Sequence, residues 1–466
     1  MTGRAPSASA ASSYGDRLPL SVLAAYALPG IPLAALTLPL YVLVPTFYTE
    51  TLGLSLATVG YILLLTRMFD ALNDPLVGWF ADHFRPRFGR RRALFAFSLP
   101  LTAIAGFMLF WPPQDAGAFY LLGWGMTLSL GYTASLIPLT AWGAELSTTY
   151  RGRSRLAGWR EGFILTGTLI AIALPFSIGF SSSEGVHGLA ALAIAIALTL
   201  PLFGAITVIF VPEPVEHTRQ RVALRAGLVH IADNRPFVRL IAAYFVNGLA
   251  NGIPATLFLY FVSERLALPE ARGPLLFIYF LSGIAGVPLA LRLADRIGKH
   301  RAWCYAMLTN CAFFVAAPLL PEGALYLFGA MCVATGLFLG FDLSLPASIQ
   351  ADVVDVDTAA SGEQRSGIYF AAWSLTTKLS LAVGAGLIFP ALALFGFDPQ
   401  SSSQEGSALL ALALLYAWVP IALKLVAVAI MWNFPLDEAE HGRLRSSIEA
   451  DPQINRAADS ASPSRG

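Results

Sequence analysis

The residues in this chain best suited to chemistry are charged side chains inside otherwise apolar stretches. In one such stretch Arg67, Asp70 and Asp74 share a helical face, with Asn73 beside them. Two carboxylates one turn apart repel each other unless a cation or a proton lies between them. Oxygen ligands suit a hard cation such as sodium, and the same pair can hold a proton. We therefore predict a cation or proton site at this turn.

Two neighbouring residues bear on that prediction. Pro75 cannot donate a backbone hydrogen bond, so the carbonyl of Ala71 is available as a further ligand. Arg67 supplies a structural alternative, because an ion pair with Asp70 would neutralise one buried carboxylate. That alternative leaves Asp74 without a partner.

Two lysines also lie inside apolar stretches. Lys378 lies far from the ends of its stretch and needs an anionic partner, for which Asp70, Asp74 and Asp342 are the candidates. Its alternative is to extend its long side chain to a polar interface. For Lys424 we expect this second behaviour, since the rest of its stretch offers no partner.

Four further polar or aromatic residues in these stretches are candidate substrate contacts. Asn247 and Asn251 are four residues apart, so they share a helix face and either bridge helices or line a cavity. Trp142 and Trp373 either stack on a ligand or fill a seam between helices. Lys378 joins this set as a candidate substrate contact.

The composition sets the environment in which these residues act. The 466 residues are 56% hydrophobic and only 13% charged, with a formal net charge of +1, whereas soluble domains are about one quarter charged. The mean hydropathy is +0.64. This excludes a disordered chain, and the near-zero net charge gives no basic field for nucleic acid. We interpret the chain as a membrane protein.

Several chemical classes are disfavoured by what the sequence lacks. The three cysteines have no metal-ligand spacing and the six histidines fall outside the apolar stretches, so we expect neither a disulfide framework nor a bound metal cofactor. There is no glycine-rich phosphate loop and no clustered nucleophile and base. We therefore expect no cofactor, no ATP hydrolysis and no enzyme activity, with a polytopic membrane enzyme as a remote alternative.

Twelve apolar segments are long enough to cross a bilayer, which takes about 20 helical residues. They lie near 19–48, 55–80, 93–112, 117–146, 157–181, 188–212, 238–262, 273–294, 302–320, 324–349, 367–394 and 406–433. The pattern predicts an all-α membrane protein with twelve transmembrane helices in two pseudo-symmetric six-helix bundles. The predicted divisions are a disordered N-terminal tail (1–16), a first bundle (17–212), a linker (213–237), a second bundle (238–433) and a C-terminal tail (434–466).

The basic residues predict the orientation. Of the 30 lysines and arginines, 24 lie in the two tails and in the loops that follow even-numbered spans. Because such residues stay on the cytoplasmic side, both tails and the linker are predicted to be cytoplasmic. The scarcity of lysine relative to arginine suggests a bacterial source. We thus expect a monomeric multi-pass protein of a bacterial inner membrane.

A loop motif recurs about 213 residues apart. Asp82 precedes a glycine and then Arg90 and Arg91, and Asp295 with Arg296 precedes a glycine and a basic cluster. Duplicated six-helix halves around a central site are one transporter plan. We predict that these five residues form a charge network at the cytoplasmic mouth. The alternative is that any cytoplasmic loop collects arginines.

These motifs resemble the glycoside–pentoside–hexuronide:cation symporters of the major facilitator superfamily. The resemblance runs from about 18 to 435, through Arg67…Asp70…Asp74-Pro75, a block at 346–355, and Lys378. It implies that Asp70 and Asp74 ligate the coupling cation, assisted by Thr133. It further implies that Lys378 lies near both sites and that Arg160 takes part in substrate binding. The eukaryotic sodium-dependent lysophosphatidylcholine transporters look similar in the same region.

The sequence departs from this family at two positions. Leu136 stands where the melibiose permease has an aspartate shared by cation and sugar, and residues 33–35 are apolar where it has a sugar-binding aspartate. Coupling to sodium or to a proton therefore stays open. We predict secondary active transport, by cation-coupled symport of a sugar, a glycoside or another small organic solute. A lysolipid transporter of the same fold, a uniporter and a transport-like sensor are the alternatives.

Overall fold

The computed structural model describes residues 18–83, 86, 89–146, 150–179, 185–212, 234–361, 366–401 and 404–435. The predicted N-terminal tail, nearly all of the linker and nearly all of the C-terminal tail lie outside these residues. Within them the chain forms helices and turns, with no strand. The predicted all-α class is confirmed.

The described residues form thirteen α-helices and the shorter segments that join them. They are α1 (Leu20–Ala27), α2 (Gly30–Glu50), α3 (Leu56–His83), α4 (Arg90–Phe110), α5 (Ala118–Leu146), α6 (Tyr150–Ser177), α7 (Gly185–Phe210), α8 (Arg235–Tyr260), α9 (Arg272–Ile297), α10 (Lys299–Phe314), α11 (Leu325–Ser361), α12 (Ser366–Leu394) and α13 (Gly406–Met431). Helices α1 and α2 are separated by two residues and together form one span. The thirteen helices therefore correspond to the twelve predicted spans.

Ten of these spans are long and apolar enough to cross a membrane by length and composition. The two that fall short, α3 and α5, have 28 and 29 residues. They have the length but carry the polar residues of the predicted cation site, which lower their apolar character. The two helices that fall short are thus those that supply Asp70, Asp74 and Thr133.

Several helix boundaries differ from the sequence prediction, among them the start of α8 and the end of α11. Helix α8 begins at Arg235, because the Asn234 side chain accepts a hydrogen bond from the Phe237 backbone N–H at 3.0 Å and caps the helix. The last three residues of the predicted linker are therefore helical. Helix α11 continues to Ser361, twelve residues beyond the predicted span.

Close packing within the second half depends on glycine. Helices α9 and α11 lie along each other, and a Cβ at Gly340 would stand 2.5 Å from the carbonyl oxygen of Gly283. A Cβ at Gly286 would meet the Leu337 carbonyl oxygen, well inside van der Waals contact. Small residues let the two backbones approach, as is usual between membrane helices.

The two halves meet at the end of the bundle that contains the turn after α2. There Arg272 donates two hydrogen bonds to the Glu50 carboxylate, at 2.8 and 3.0 Å, and a third to Ser263. Thr49 and Tyr260 share a hydrogen bond of 2.6 Å between their hydroxyl oxygens. Because the Glu50 and Thr49 contacts join one half to the other, we call this end the closed end.

The Glu50–Arg272 ion pair should hold the closed end shut. We expect Glu50→Gln to weaken it and add a longer component to the distance between spin labels at positions 51 and 270, both exposed at this end. Pulsed electron–electron double resonance on detergent-solubilised protein measures this distance.

Two controls separate the ion pair from a general charge effect. Glu322→Gln removes a carboxylate from an exposed position and should leave the distances unchanged. The exchange Glu50→Arg with Arg272→Glu should restore the short distance. An unchanged distribution in Glu50→Gln would show that other contacts keep this end closed.

Candidate functional site

The predicted carboxylate pair lies in the middle of α3, and Asp70 is only 2% exposed. Its Oδ1 accepts hydrogen bonds from Ser129 at 2.5 Å and Thr133 at 3.2 Å, both on α5. Asp74 lies one turn further along and accepts from Thr133 at 2.9 Å. Helices α3 and α5 pack side by side, so hydroxyl groups of α5 bond to both carboxylates, of which Asp70 is buried and Asp74 is partly exposed.

Thr133 ties the two carboxylates together. A hydroxyl carries one proton, yet its oxygen lies within hydrogen-bonding distance of both Asp70 and Asp74. Only one carboxylate can accept that proton at a time. The closeness of the Thr133 oxygen to the other carboxylate therefore suits a proton or a cation shared between the groups. The geometry thus brings together the oxygens that the sequence assigned to a cation.

Lys378 reaches this pair from the other half of the protein. Its ammonium lies 2.6 Å from Asp74 Oδ2 and 2.9 Å from Asp70 Oδ2. Of the three candidate partners, Asp70 and Asp74 are thus the ones it contacts. The charged interaction crosses between α12 and α3, which pack together.

Arg67 forms the ion pair that the sequence offered as the structural alternative. Its guanidinium lies 3.2 Å from Asp70 Oδ2 and 4.1 Å from the ring centre of Tyr41. The structural alternative is therefore observed for Asp70, and Asp74, which that alternative left without a partner, is paired by Lys378. The cation or proton site stays a prediction. Two carboxylates and two cationic side chains make the cluster electrically neutral.

Asn73 lies beside the pair and is 5% exposed. Its side-chain Nδ2 is buried and has no hydrogen-bond partner among the described residues. A cavity with about 350 Å³ of empty space, part of it open, adjoins Asp70. Thr37, Ser129 and Tyr132 supply polar groups to its wall, alongside leucines.

Trp373 and Lys378 lie on the same helix, and the structure shows what holds that helix. Trp373 stacks on Tyr244 with ring centres 3.8 Å apart. The Tyr244 hydroxyl lies 3.1 Å from that of Thr377, the residue before Lys378. These contacts brace α12 against α8 and so position the ammonium.

Two predicted substrate residues lie in other surroundings. Trp142 is fully buried, and its indole N–H donates to the Pro212 carbonyl at 2.9 Å. It therefore fills a packing seam here, one of the two roles left open for it. Arg160 pairs with its neighbour Glu161 at 2.7 Å and with the Tyr26 hydroxyl, and it also interacts electrostatically with Tyr132 of the cavity wall beside Asp70.

The predicted charge network at the mouth stays a prediction. The side chain of Asp82 lies outside the described residues, and Asp295 and Arg296 are exposed. Arg91 is buried, whereas Arg90 is half-buried. An ion pair that the sequence did not predict lies nearby.

That ion pair joins Lys299 to Asp352, with the ammonium 2.6 and 2.8 Å from the two carboxylate oxygens. It links the start of α10 to α11. Both residues stand in motifs singled out in the sequence, but their separation of 53 positions gives no sign that they meet.

A second buried charge cluster lies in the C-terminal half. The Asp342 carboxylate accepts hydrogen bonds from Asn247 at 3.0 Å, Asn251 at 2.9 Å and the Trp303 indole at 2.6 Å. The Lys424 ammonium lies 3.3 Å from its Oδ2. The two asparagines thus bridge helices, one of the two roles left open for them.

Lys424 corrects a sequence prediction. Its span alone predicts that it reaches an interface, but it is 5% exposed and also donates to Asn247 Oδ1 at 2.9 Å. Its partners lie on α8 and α11, whereas the prediction considered only its own span. The sequence does contain a signal for the pair of Lys424 and Asp342, namely two charges of opposite sign inside two different apolar spans.

Comparison with known proteins gives a consistent result. Residues 25–438 match the family described as MFS/sugar transport protein. The isoprimeverose transporter of Lactiplantibacillus pentosus is 25% identical, covering 89% of this chain and 88% of that protein. The sodium-dependent lysophosphatidylcholine symporter 1 of Xenopus tropicalis is 23% identical, covering 90% and 86%. The crystal structure of a D-xylose–proton symporter superposes with a TM-score of 0.63 at 16% identity, covering 90% and 98%.

The Asp342–Lys424 pair allows a test of its energetic role. Removing one partner of a buried ion pair leaves an uncompensated charge and costs about 3 kcal/mol. We therefore expect Lys424→Met alone to lower the thermal unfolding temperature clearly, and Lys424→Met with Asp342→Asn to recover most of the loss. Thermal unfolding of the purified protein in detergent measures both.

Lys299→Met is the matched control, because its partner Asp352 lies partly exposed near the end of the bundle. It should shift the unfolding temperature less. If the unfolding temperature of the double variant is no higher than that of Lys424→Met, the pair does not act as a unit.

Proposed function

The chain belongs to the MFS/sugar transport protein family, and from this premise we propose that it couples the movement of a small organic solute to a cation bound at Asp70 and Asp74. The protein is a secondary active transporter. The cation is sodium or a proton, and the solute is a sugar, a glycoside or a similar molecule. The observation that carries the proposal is the contact of Lys378 with both carboxylates across the two halves.

The mechanism rests on competition for the same oxygens. The Lys378 ammonium and a coupling cation cannot both lie between Asp70 and Asp74, so a cation that enters displaces the lysine. Displacement of Lys378 removes an attraction between the two halves. The bound cation therefore favours a second arrangement, in which the halves have moved relative to each other. Such coupling is reciprocal, so a solute that binds this second arrangement better tightens cation binding equally.

The cavity beside Asp70 supports a small polar solute. Hydroxyl groups of Thr37, Ser129 and Tyr132 can bond to solute hydroxyls, and Arg67 adds a guanidinium. Lys378, once displaced from the carboxylates, becomes a donor for the same solute. Arg160 and Trp373 remain predicted contacts, to be tested by substitution.

A second candidate is a lysolipid. The sugar-binding aspartate of the resembled permease is replaced by apolar residues at 33–35, and leucines form much of the cavity wall. One relative at 23% identity is named a lysophosphatidylcholine symporter. Sugars need buried polar partners, so the apolar wall favours a substrate with a hydrocarbon part.

The orientation forms part of the same proposal. With arginine-rich loops in the cytoplasm, the closed end faces away from it and the solute site opens inward. The protein would act as a monomer in a bacterial inner membrane, with both termini cytoplasmic.

Replacing either aspartate should abolish cation coupling. We expect Asp70→Asn and Asp74→Asn to reduce solute-dependent sodium or proton flux at least tenfold, because each removes a charged ligand. Flux into proteoliposomes, screened over sugars, glycosides and lysolipids, measures this and identifies the solute class.

Asp398→Asn is the control, since this aspartate lies in the turn between α12 and α13, away from the site. It should transport like the unmodified protein. Solute uptake that ignores cations and survives both substitutions would contradict symport and make the protein a uniporter.

Removing the competing ammonium should strengthen cation binding. In Lys378→Met the cluster keeps two carboxylates and only Arg67, so its charge becomes negative. We expect at least tenfold tighter sodium binding, seen as thermal stabilisation at lower sodium concentration, together with loss of coupled solute transport. A sodium response equal to that of the unmodified protein would refute competition between Lys378 and the cation.

A further inference from the structure

A second cavity lies within the C-terminal half, and the proposed transport cycle does not use it. It lies between α8, α9, α10, α11 and α13, with Val42 of α2 at one edge. Its empty space, including the part open to its surroundings, is about 740 Å³. Its lining residues and those of the cavity beside Asp70 form two different sets, so it is separate from the cation site.

The wall of this cavity is mostly apolar and rich in aromatic rings. Six rings drawn from five helices line it: Phe258, Tyr279, Phe280, Phe314, Phe328 and Tyr416. Rings of this kind bind flat apolar groups through large contact areas. The wall therefore suits a molecule with an aromatic or alicyclic body.

One side of the cavity is polar. Lys424 uses two of its three ammonium protons on Asn247 Oδ1 and Asp342 Oδ2, which leaves one donor. Asn251 gives its amide nitrogen to Asp342, and its carbonyl oxygen accepts no bond from a described residue. The Asn310 side chain makes no hydrogen bond to a described residue and also lines the cavity.

The polar side also sets the charge of the ligand. The Asp342 carboxylate compensates the Lys424 ammonium, so a charged ligand would bring an unpaired charge into an apolar wall. A hydroxyl or an amide can both donate to Asn251 and accept from Lys424 or Asn310. The two sides of the cavity thus define an uncharged, amphipathic partner.

We propose that this cavity is a binding site for a neutral amphipathic small molecule with an aromatic or alicyclic body and one hydroxyl or amide group. The site is independent of the cation pair and does not rest on the proposed symport. Its polar side is carried by α8, α10 and α13, so an occupant contacts three helices of one half.

The test uses 2-naphthol and 2-methylnaphthalene, which share a shape and differ in one hydroxyl. Binding to the full-length protein in nanodiscs is followed by probe fluorescence, and the saturable part is separated from linear partition into lipid. We expect saturable 2-naphthol binding. Ala255→Phe, which fills the cavity from α8, should weaken it at least tenfold, whereas Ala242→Phe on an exposed face of the same helix should not.

A second variant tests the polar side without disturbing the ion pair. Asn310→Leu should weaken 2-naphthol about fivefold and leave 2-methylnaphthalene unchanged. Absence of saturable binding, or equal binding in Ala255→Phe, would overturn the site. Equal loss of both probes in Asn310→Leu would overturn its amphipathic character. Asp70→Asn should keep the binding, so a failure of symport and a failure of this site are distinguishable.

Discussion

The contact on which the arrangement of this protein depends is the Lys378 ammonium between two carboxylates of the opposite half. Charges inside an apolar bundle are costly unless they are paired. Here one half supplies the two carboxylates and the other half supplies the ammonium. Among the described residues Asp74 has no other cation, because Arg67 is committed to Asp70 and held by Tyr41. The halves are therefore joined at their centre by charge, and separately at the closed end by Glu50 and Arg272.

The two buried clusters are built alike but differ in what they can do. Asp342 and Lys424 lie in the same half, and the carboxylate accepts four hydrogen bonds. Relative motion of the halves does not separate them, so this cluster is a fixed brace. The Lys378 cluster crosses the interface and is partly open to a cavity, so in the proposed mechanism its lysine is exchanged for another cation. Helix α8 lies between them, because Tyr244 bonds to Thr377, the residue before Lys378, and Asn247 on the same helix donates to Asp342.

Periodicity and local spacing in the sequence were sufficient to predict the spans and the carboxylate pair. Twelve spans were predicted, and Asp70 and Asp74 were assigned to one face of α3, because residues three and four apart on a helix are neighbours. The sequence did not predict the partners of Lys424 or the pair of Lys299 with Asp352, because those contacts join helices distant in the chain. For Trp142 the residue type left stacking on a ligand and filling a seam between helices both open, and only the packing shows that the ring is buried.

The charge of the Lys378 cluster also limits the coupling within the proposed mechanism. With Lys378 in place, two carboxylates face two cationic side chains, and the site is neutral. When Lys378 withdraws, one negative charge remains, and a single monovalent cation restores neutrality. A second cation would bring a positive charge into an apolar bundle. The loss of a third carboxylate at Leu136 therefore makes one cation per cycle the stoichiometry that this site can support, whether the ion is sodium or a proton.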